Sequence, residues 1–398
     1  MNIVIGIIVG LLVLMFLIVA HEFGHFIAAR RNGVKVKEFG ICFPPRAIAW
    51  QKGKDGKWHR LPKSKWKKPD NDSLIISLNW IPIGGFCAMD GESNADTRKG
   101  TFGAATFWQK TKILFAGVAM NWIVAFLILT VLAITGLPQF INNQFSVEAD
   151  AHTDTKPVAV ASVQENSPAA KAGFQAGDLI ESINGQTVTT GGEIIDYNNQ
   201  HPGEKLNYSV IREDQNITLS PTLNQAGSPY LLGVSMATSQ TLTRYTWSAP
   251  IVGAATTVQL TGETFRGLGM LVWNLGSGIA SQLNPDAEVR EQGRATIGAA
   301  GDSVSGPVGI IGTIFPAFTA AGPTNLAFLA ALISVALACM NVLPIPALDG
   351  GRWLLIAIFK LRKKKLTKEK EEKIVGRAFL VLIALIILIT IVDITKFF

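Results

Sequence analysis

The chain has 398 residues, of which 48% are hydrophobic and only 16% are charged. About a quarter of the residues are charged in an ordinary soluble protein, so this composition excludes that class and indicates a membrane protein. The formal net charge is +7, but its excess of Lys and Arg lies in two connecting loops. This distribution argues against a nucleic-acid partner and for contact with the lipid bilayer.

Four apolar stretches are long enough to cross a bilayer, which takes about 20 residues of helix. The first has no basic residue before it and is followed by Arg30 and Arg31, which is the reverse of the order in a cleaved signal peptide. We therefore predict a polytopic α-helical membrane protein with four transmembrane helices. The predicted segments are 1–31, 109–137, 322–359 (the third span and a Pro/Gly-rich region after it) and 374–395.

The charges of the connecting segments predict the orientation of these helices. There are 17 Lys/Arg and 7 Asp/Glu in residues 30–112, and 9 and 3 in residues 360–377, but 8 and 16 in residues 138–321. Loops rich in Lys and Arg remain in the cytoplasm. The loop 32–108 is therefore predicted to be cytoplasmic, and both termini are predicted to be extracytoplasmic.

The extracytoplasmic segment contains a separate folding unit. Ser167 and Pro168 form an N-cap and first-turn pair, and a short helix ends at Gly173. The alternating strand "DLIESI" then leads to Asn184-Gly185, a strong signal for a tight hairpin. This stretch resembles PDZ domains of bacterial membrane proteases, so we expect an α+β PDZ domain with a partly open β-barrel over 157–237.

Two roles remain open for such a domain. A PDZ domain binds a peptide C-terminus by strand addition in some proteins, and it acts as a passive size filter in others, so the fold alone does not decide its function. The following segment, 244–321, has helical periodicity and few charges. We expect it to contain a helix on the extracytoplasmic membrane surface and a Gly/Pro-punctuated connection to the third span.

The first span contains the motif His21-Glu22-Phe23-Gly24-His25. Residues four apart lie on one face of a helix, so the two imidazoles can bind one Zn²⁺ and leave Glu22 beside an open coordination position. A chance match is the bland interpretation of so short a motif. It is weaker within a membrane span, because ionisable side chains there are costly unless they serve a function.

A catalytic zinc ion usually has a third protein ligand. The remaining histidines, His59, His152 and His201, all lie outside the predicted spans, and the only other acids in the spans or at their ends are Asp349 and Asp393. Asp349 follows the third span at its cytoplasmic end, the same end as His25, whereas Asp393 lies near the outer end of the fourth. We therefore predict Asp349 as the third ligand.

The order of these motifs resembles that of the site-2 proteases, a family of intramembrane zinc metalloproteases, in their bacterial RseP-type branch. Besides the HExxH motif, the resemblance rests on "IPIGGFCAMDGES", "FAGVAMNW", the PDZ-like segment, "SGPVGI" and "NVLPIPALDGG". It implies that His21, His25 and Asp349 bind one Zn²⁺ per chain, that Glu22 is the general base and that Asn341 contacts the substrate backbone. It also implies a membrane-re-entrant β segment within the cytoplasmic-side loop 32–108.

The sequence departs from the family pattern in three places. Val118 replaces the proline that usually precedes Asn121 in its motif, one PDZ domain is recognisable where the best-known member has two, and the loop 52–72 carries additional basic residues. None of these changes affects the predicted zinc ligands.

The expected function is regulated intramembrane proteolysis in a bacterial inner membrane. The expected substrates are single-span membrane proteins, such as anti-sigma factors or remnant signal peptides. The alternative is a proteolytically inactive, membrane-tethered PDZ adaptor. A polytopic transporter is disfavoured, because the four spans show no internal repeat.

Overall fold

The computed structural model describes residues 3–53, 55–66, 73–141, 143–155, 157–213, 215–236, 241–302 and 305–395. Lys67 and Lys68, two of the additional basic residues of the loop 52–72, lie outside these ranges. The chain divides into two units, which we call the membrane unit (residues 1–132 and 250–398) and the PDZ-like unit (residues 133–249).

The membrane unit begins with helix α1, Ile3–Arg31. Its sequence has no proline, and aliphatic residues occupy most positions before the HExxH motif. Gly6 and Gly10 allow a close helix contact, since a Cβ atom at either position would lie 2.5 Å from an atom of Pro316 or Phe315. Small residues permit such an approach between apolar helices.

A three-stranded antiparallel sheet follows, with strands β1 (Val36–Lys52), β2 (Trp58–Arg60) and β3 (Ile75–Met89) in the order β2-β1-β3. The register of β1 and β3 pairs Gly40 with Phe86 and Ala49 with Ser77. A Cβ atom at Gly85 would lie 3.2 Å from Val19, two residues before His21. The sheet therefore packs against α1 at the level of the histidines.

Helix α2, Phe107–Thr135, is the second long apolar helix. It packs closely against α1, because a Cβ atom at Gly24 would lie 2.3 Å from the carbonyl oxygen of Ala116. The side chain of Asn121 is fully buried within this helix. The contact brings the middle of α2 beside the HExxH motif.

The PDZ-like unit contains the next nine strands and two helices. A three-stranded sheet has the order β4-β12-β5, and a larger one has the order β10-β9-β7-β6-β11, with β8 paired to β7. The helices are α3 (Pro168–Ala172) and α4 (Gly191–Gln200). The strands are β4 (Leu137–Pro138), β5 (His152–Thr155), β6 (Val158–Val163), β7 (Leu179–Ile183), β8 (Gln186–Thr187), β9 (Tyr208–Arg212), β10 (Gln215–Leu219), β11 (Val234–Met236) and β12 (Thr241–Arg244).

The sequence signals in this unit have clear structural counterparts. The Ser167 side chain accepts a hydrogen bond from the N–H of Ala170 and caps α3, and Gly173 ends the helix with a φ of 88°. The apolar core includes Ile180, Ile183, Tyr208 and Ile194. The larger sheet thus packs against α3 and α4 around one core of its own.

The chain then returns to the membrane unit through helices α5 (Ala249–Ser281) and α6 (Ala287–Asp302). The first half of α5 contacts α2, because a Cβ atom at Gly253 would lie 2.9 Å from the backbone nitrogen of Thr130. Trp122 and Val258 line one groove between these helices. Part of α5 therefore packs beside an apolar span, but α5 is not among the helices of the described residues that are long and apolar enough to cross a membrane. Its position at the membrane surface stays a prediction.

A short helical segment precedes the third span. It consists of α7 (Pro307–Gly309), a π turn (Ile310–Ile314) and α8 (Phe315–Ala320). The sequence predicts only an irregular connection here. Burial against Gly6 and Gly10 of α1 explains the difference, because Phe315 is fully buried in this contact.

The remaining helices are α9 (Pro323–Val342), α10 (Asp349–Leu361) and α11 (Lys368–Thr395). Among the described residues, four helices are long and apolar enough to cross a membrane, and they lie within Ile3–Arg31, Phe107–Thr135, Pro323–Val342 and Lys368–Ile391. The third and fourth spans are joined by the separate, shorter helix α10. The chain is therefore mostly helical, with four candidate spans.

Candidate metal centre

The two histidines of the HExxH motif point to one place from successive turns of α1. Their ring centroids are 4.8 Å apart and their planes are nearly perpendicular. Both residues are buried, with less than a tenth of their surface exposed. Their Nε2 atoms are 3.1 Å apart.

The third group of the cluster comes from the other end of the sequence. The Oδ2 atom of Asp349 lies 3.1 Å from His21 Nε2 and 3.2 Å from His25 Nε2. The three atoms thus form a nearly equilateral triangle. Within the described ranges, no other group of three His, Cys, Asp or Glu side chains converges in this way.

The turn before α10 explains how Asp349 reaches this position. Leu343 and Leu348 flank a Pro-rich turn between α9 and α10, and Asp349 is the first residue of α10. A Cβ atom at Gly350 would lie 2.1 Å from the carbonyl oxygen of Val342, and one at Gly351 would lie 1.9 Å from that of Ile345. The two glycines after Asp349 therefore allow α10 to start directly against the end of α9.

Hydrogen bonds to the opposite ring nitrogens orient the imidazoles. The Nδ1–H of His25 donates to the carbonyl of Ile113 over 2.8 Å, which leaves the lone pair of Nε2 directed at the cluster. The side-chain amide of Asn121 lies 3.3 Å from His21 Nδ1 through its nitrogen, and its Oδ1 has no partner among the described residues. Exchanging the amide nitrogen and oxygen gives this buried Oδ1 an Nδ1–H donor, and His21 then also has a free Nε2 lone pair.

These donors fit a zinc ion. At bond lengths near 2.0 Å, the ligand atoms of a tetrahedral zinc site are separated by about 3.3 Å, close to the spacings of the His21, His25 and Asp349 atoms. A Cβ atom at Gly117 would lie 2.5 Å from His25 Nε2 and 2.7 Å from His21 Nε2. A glycine on α2 therefore keeps open the space beside the two imidazole nitrogens.

The predicted base and the predicted substrate-binding amide line the same cavity, which has a volume of about 260 Å³. The Glu22 side chain is half-buried, and Cys87 of β3 lines the same cavity. The Asn341 amide donates to the carbonyl of Leu337, one turn earlier in α9, over 3.0 Å. The structure thus brings all five predicted site residues to one place.

Interactions of Arg352 stabilise the first turn of α10. The guanidinium of Arg352 donates to the carbonyl of Glu92, lies 4.8 Å from the Phe102 ring centroid and is 3.6 Å from Glu371 Oε1. Glu371 Oε2 in turn accepts a hydrogen bond from the N–H of Asn94 over 2.8 Å. Arg352 lies three residues after Asp349, so this network fixes the helix that carries the carboxylate.

The sequence analysis assigned no role to Asn121, Gly117 or Arg352. Asn121 could have been found, because a polar residue inside an apolar span is itself a signal of function. The Gly117 contact and the Arg352 network depend on helices distant in the sequence, and no local pattern reveals them.

The acids and histidines rejected in the sequence analysis have other partners. Asp393 accepts hydrogen bonds from the N–H groups of Gly306 and Gly309. His59 pairs with Asp55 at an exposed site. His152 and His201 belong to the PDZ-like unit, and each has its Nδ1 next to a backbone carbonyl.

Comparison with known proteins gives a consistent family assignment. The model of peptidase family M50 matches residues 9–61 and 65–386. The zinc metalloprotease RasP of Bacillus licheniformis is 28% identical, over 93% of this chain and 94% of the relative. The regulator of sigma-W protease RasP of Bacillus subtilis is 26% identical, over 93% and 94%.

One solved structure is similar to part of this chain. It is the PDZ domain of an SdrC-like protein from Listeria monocytogenes, with 26% identity and a TM-score of 0.20. The match covers 21% of this chain and 90% of that one.

Proposed function

This chain belongs to peptidase family M50, the site-2 proteases, and from that premise we propose that it cleaves single-span membrane proteins within the bilayer. It is a zinc metalloprotease, as the predicted resemblance indicated. The observation that carries the proposal is the convergence of His21, His25 and Asp349 beside Glu22 in a cavity between apolar helices. An intact set of three zinc donors beside the Glu22 carboxylate argues against a proteolytically inactive adaptor.

The roles of the site residues follow from their positions. His21, His25 and Asp349 would hold the zinc ion, which when bound would polarise a water molecule and lower its pKa. Glu22 takes a proton from the attacking water and delivers it to the leaving nitrogen of the peptide.

The sheet of the membrane unit is proposed to be the re-entrant segment that receives the substrate. Around the pair Phe43 and Ile81, the sheet exposes large apolar side chains, which also include Trp80. Such an apolar patch is compatible with contact with lipid. The second half of β3, residues 85–89, pairs with β1 on one side only and forms one edge of the sheet. A transmembrane substrate must unwind locally to present a peptide bond, and pairing with β3 would satisfy the exposed backbone groups. Asn341 is proposed to contact the same backbone.

The depth of the site indicates cleavage near the cytoplasmic side of the membrane. His25 is five residues from Arg30, which corresponds to about 7 to 8 Å along the helix. The name of the Bacillus subtilis relative identifies that protein as a regulator of sigma-W protease. We propose anti-sigma-factor-like proteins or remnant signal peptides as substrates of this chain, in a bacterial inner membrane with both termini outside.

The PDZ-like unit would act before the substrate reaches the zinc site. Its strand β11 lies at one edge of the larger sheet, so a peptide C-terminus could extend the sheet by strand addition. Exclusion of substrates with large outer domains is the second role for this unit. Both roles are compatible with a site that accepts only trimmed proteins.

The experiment that tests the function is replacement of the proposed base. The Glu22→Gln variant, reconstituted in liposomes with a single-span substrate, should retain zinc and lose cleavage by about 10²- to 10⁴-fold, because an amide cannot accept the proton. Cleavage is measured by gel and bound metal by elemental analysis. Glu92→Gln is the matched control, since Glu92 lines the same cavity and should leave both quantities near the wild-type values. Wild-type cleavage by Glu22→Gln would contradict the proposal.

A further inference from the structure

A second cavity of the membrane unit lies away from the zinc ligands. It has a volume of about 660 Å³, and its floor is apolar, with contributions from Phe107, Ile356, Phe359 and Leu366. Five lysines line it, and Glu369 is the one carboxylate among the lining residues that the structure describes. The lysines are Lys110, Lys360, Lys364, Lys365 and Lys368.

The cavity is built where three helices end. α2 begins at Phe107, α10 ends at Leu361 and α11 begins at Lys368. Since α2 and α11 are candidate spans, their common end marks the boundary between hydrocarbon and water. Trp108, which follows the lining residue Phe107 in the sequence, is 70% exposed. Tryptophan is common at the level of the lipid headgroups.

The turn that carries the lysines is held in a fixed position. Leu366 is buried in a core cluster that includes Phe102 and Ile356. The N–H of Lys364 donates to the carbonyl of Phe359 over 3.0 Å and closes the end of α10. Lys364 and Lys365 are therefore presented from an ordered turn.

The charges of the cavity are only partly balanced by the protein, since Lys368 Nζ lies 3.8 Å from Glu372 Oε1. Within the described part of the chain, Lys360, Lys364 and Lys365 form no ion pair. The Nζ atom of Lys360 lies 4.1 Å from the Phe107 ring centroid, and Lys110 donates to the carbonyl of Gly103. Several ammonium groups therefore surround a concave apolar surface. A ligand that matches both features has an anionic group and an apolar part.

We propose that this cavity binds the phosphodiester headgroup of an anionic phospholipid of the phosphatidylglycerol type. The lysines would contact the phosphate, and the apolar floor would receive the glycerol and the start of an acyl chain. Basic pockets between transmembrane helices on the cytoplasmic side recognise lipid headgroups in this way. A soluble acidic peptide satisfies the charge but neither the apolar floor nor the position at the end of two spans.

The test uses native mass spectrometry of the full chain in a neutral detergent, titrated with phosphatidylglycerol, phosphatidylcholine or inorganic phosphate. The wild-type protein should retain phosphatidylglycerol in preference to the other two. The triple variant Lys360→Gln, Lys364→Gln, Lys365→Gln should bind it more than about tenfold more weakly. The matched control Lys52→Gln, Lys57→Gln, Lys63→Gln removes the same charge outside the cavity and should bind within about twofold of the wild type.

Bound zinc and the thermal midpoint of the triple variant establish that it is folded, since the three replaced lysines are exposed. Equal binding by the triple variant and the wild type would overturn the proposal, as would an equal loss in the control. Retention of inorganic phosphate with the same affinity would reduce the cavity to a simple anion site. Lysine-dependent binding of a soluble glutamate-rich peptide without binding of the lipid would assign the cavity to a protein partner. The readout is independent of proteolysis, so its failure is distinguishable from failure of the proposed function.

Discussion

Buried carboxylates in the two units have different surroundings. In the PDZ-like unit, the Asp178 carboxylate is fully buried and lies 2.6 Å and 2.8 Å from two guanidinium nitrogens of Arg212. It also accepts a hydrogen bond from the N–H of Gln175. In the membrane unit, Asp349 Oδ2 lies instead between two imidazole nitrogens whose other ring nitrogens are already engaged.

This difference distinguishes a structural carboxylate, Asp178, from the proposed metal ligand, Asp349. Asp178 is satisfied by donors of the chain itself, as is Asp150, which accepts from the backbone and hydroxyl groups of Thr246 and Ser248. The lone pairs of His21, His25 and Asp349 can converge on one point, so their arrangement fits a bound cation, which would offset the repulsion and the burial. Asp393 shows that an acid in an apolar helix does not by itself indicate a metal, since two backbone N–H groups satisfy it.

The largest expected effect is loss of the zinc ion when the Asp349 carboxylate is removed. Asp349→Ala should lower zinc affinity and cleavage by more than about hundredfold, because two imidazoles alone make a poor catalytic site. Asp349→Glu should retain part of the metal with reduced turnover. Zinc is measured by elemental analysis of the purified variants.

Asp393→Ala is the matched control for deleting an acid from a membrane helix. Sequence reasoning predicts that it leaves zinc and activity nearly unchanged. The structure adds a loss of stability of about 2 kcal/mol, because the N–H groups of Gly306 and Gly309 lose their acceptor. Loss of zinc from Asp393→Ala with retention by Asp349→Ala would invert the comparison between the two carboxylates.

The second largest effect is expected at Gly117, which supplies no zinc ligand. Gly117→Ala places a methyl group 2.5 Å from His25 Nε2, so we expect loss of most of the zinc although every ligand is intact. Gly262→Ala is the control, because a Cβ atom there meets nothing within 4 Å. That change should be neutral or slightly stabilising. Full zinc occupancy in Gly117→Ala would show that the metal position is further from α2 than the geometry indicates.

Much of the site could be predicted from sequence because its chemistry is rare in its surroundings. Ionisable residues are few in apolar spans, so elimination by depth led from the HExxH motif to Asp349. The family was also recognised correctly from the order of the motifs. The family assignment is confirmed and rests on the order of motifs along the chain, whereas the roles of the site residues stay predictions.

The residues that were missed depend on packing between distant segments. Nothing local indicates that Gly117 faces two imidazoles, or that Arg352 reaches Glu92 and Glu371. The helical form of residues 307–320 was missed for the same reason, since Gly and Pro predict an irregular loop while contact with α1 favours a helix. Local preference was overruled there by burial.

A smaller effect is expected from the partner of His21. Asn121→Leu should weaken zinc binding by about 10- to 100-fold, the usual loss when a residue that orients a metal ligand is removed. Asn121→Asp should restore most of the affinity, because it retains an acceptor for the Nδ1–H of His21. The buried Asn325 donates to the carbonyl of Ala321, which lies before α9, so Asn325→Leu should leave zinc affinity unchanged. A strong loss in Asn121→Asp together with full affinity in Asn121→Leu would show that no acceptor is needed.

The smallest effect concerns the satisfied carboxylate of the PDZ-like unit and depends on pH. Burial alone would raise the pKa of Asp178, but the hydrogen bonds from Arg212 and the N–H of Gln175 outweigh it and lower the pKa. Such a group stabilises the fold above its unfolded pKa of about 3.9, and this contribution is lost as the pH falls through the lower folded value. Arg212→Gln should therefore reduce stability by about 2 kcal/mol at pH 7, and the difference from the wild type should close in acid.

Hydrogen exchange of residues 158–213 in the full chain measures this difference across the pH range, after correction for the intrinsic exchange rate. Arg266→Gln is the control, since Arg266 and Glu263 form an exposed ion pair, and such pairs contribute little to stability. A difference between Arg212→Gln and the wild type that stays constant down to pH 2 would mean that packing of the arginine, and not its charge, supports Asp178. The contrast with Asp349 would then rest on the metal site alone, because the structural carboxylate would no longer owe its ionised form to a cation of the chain.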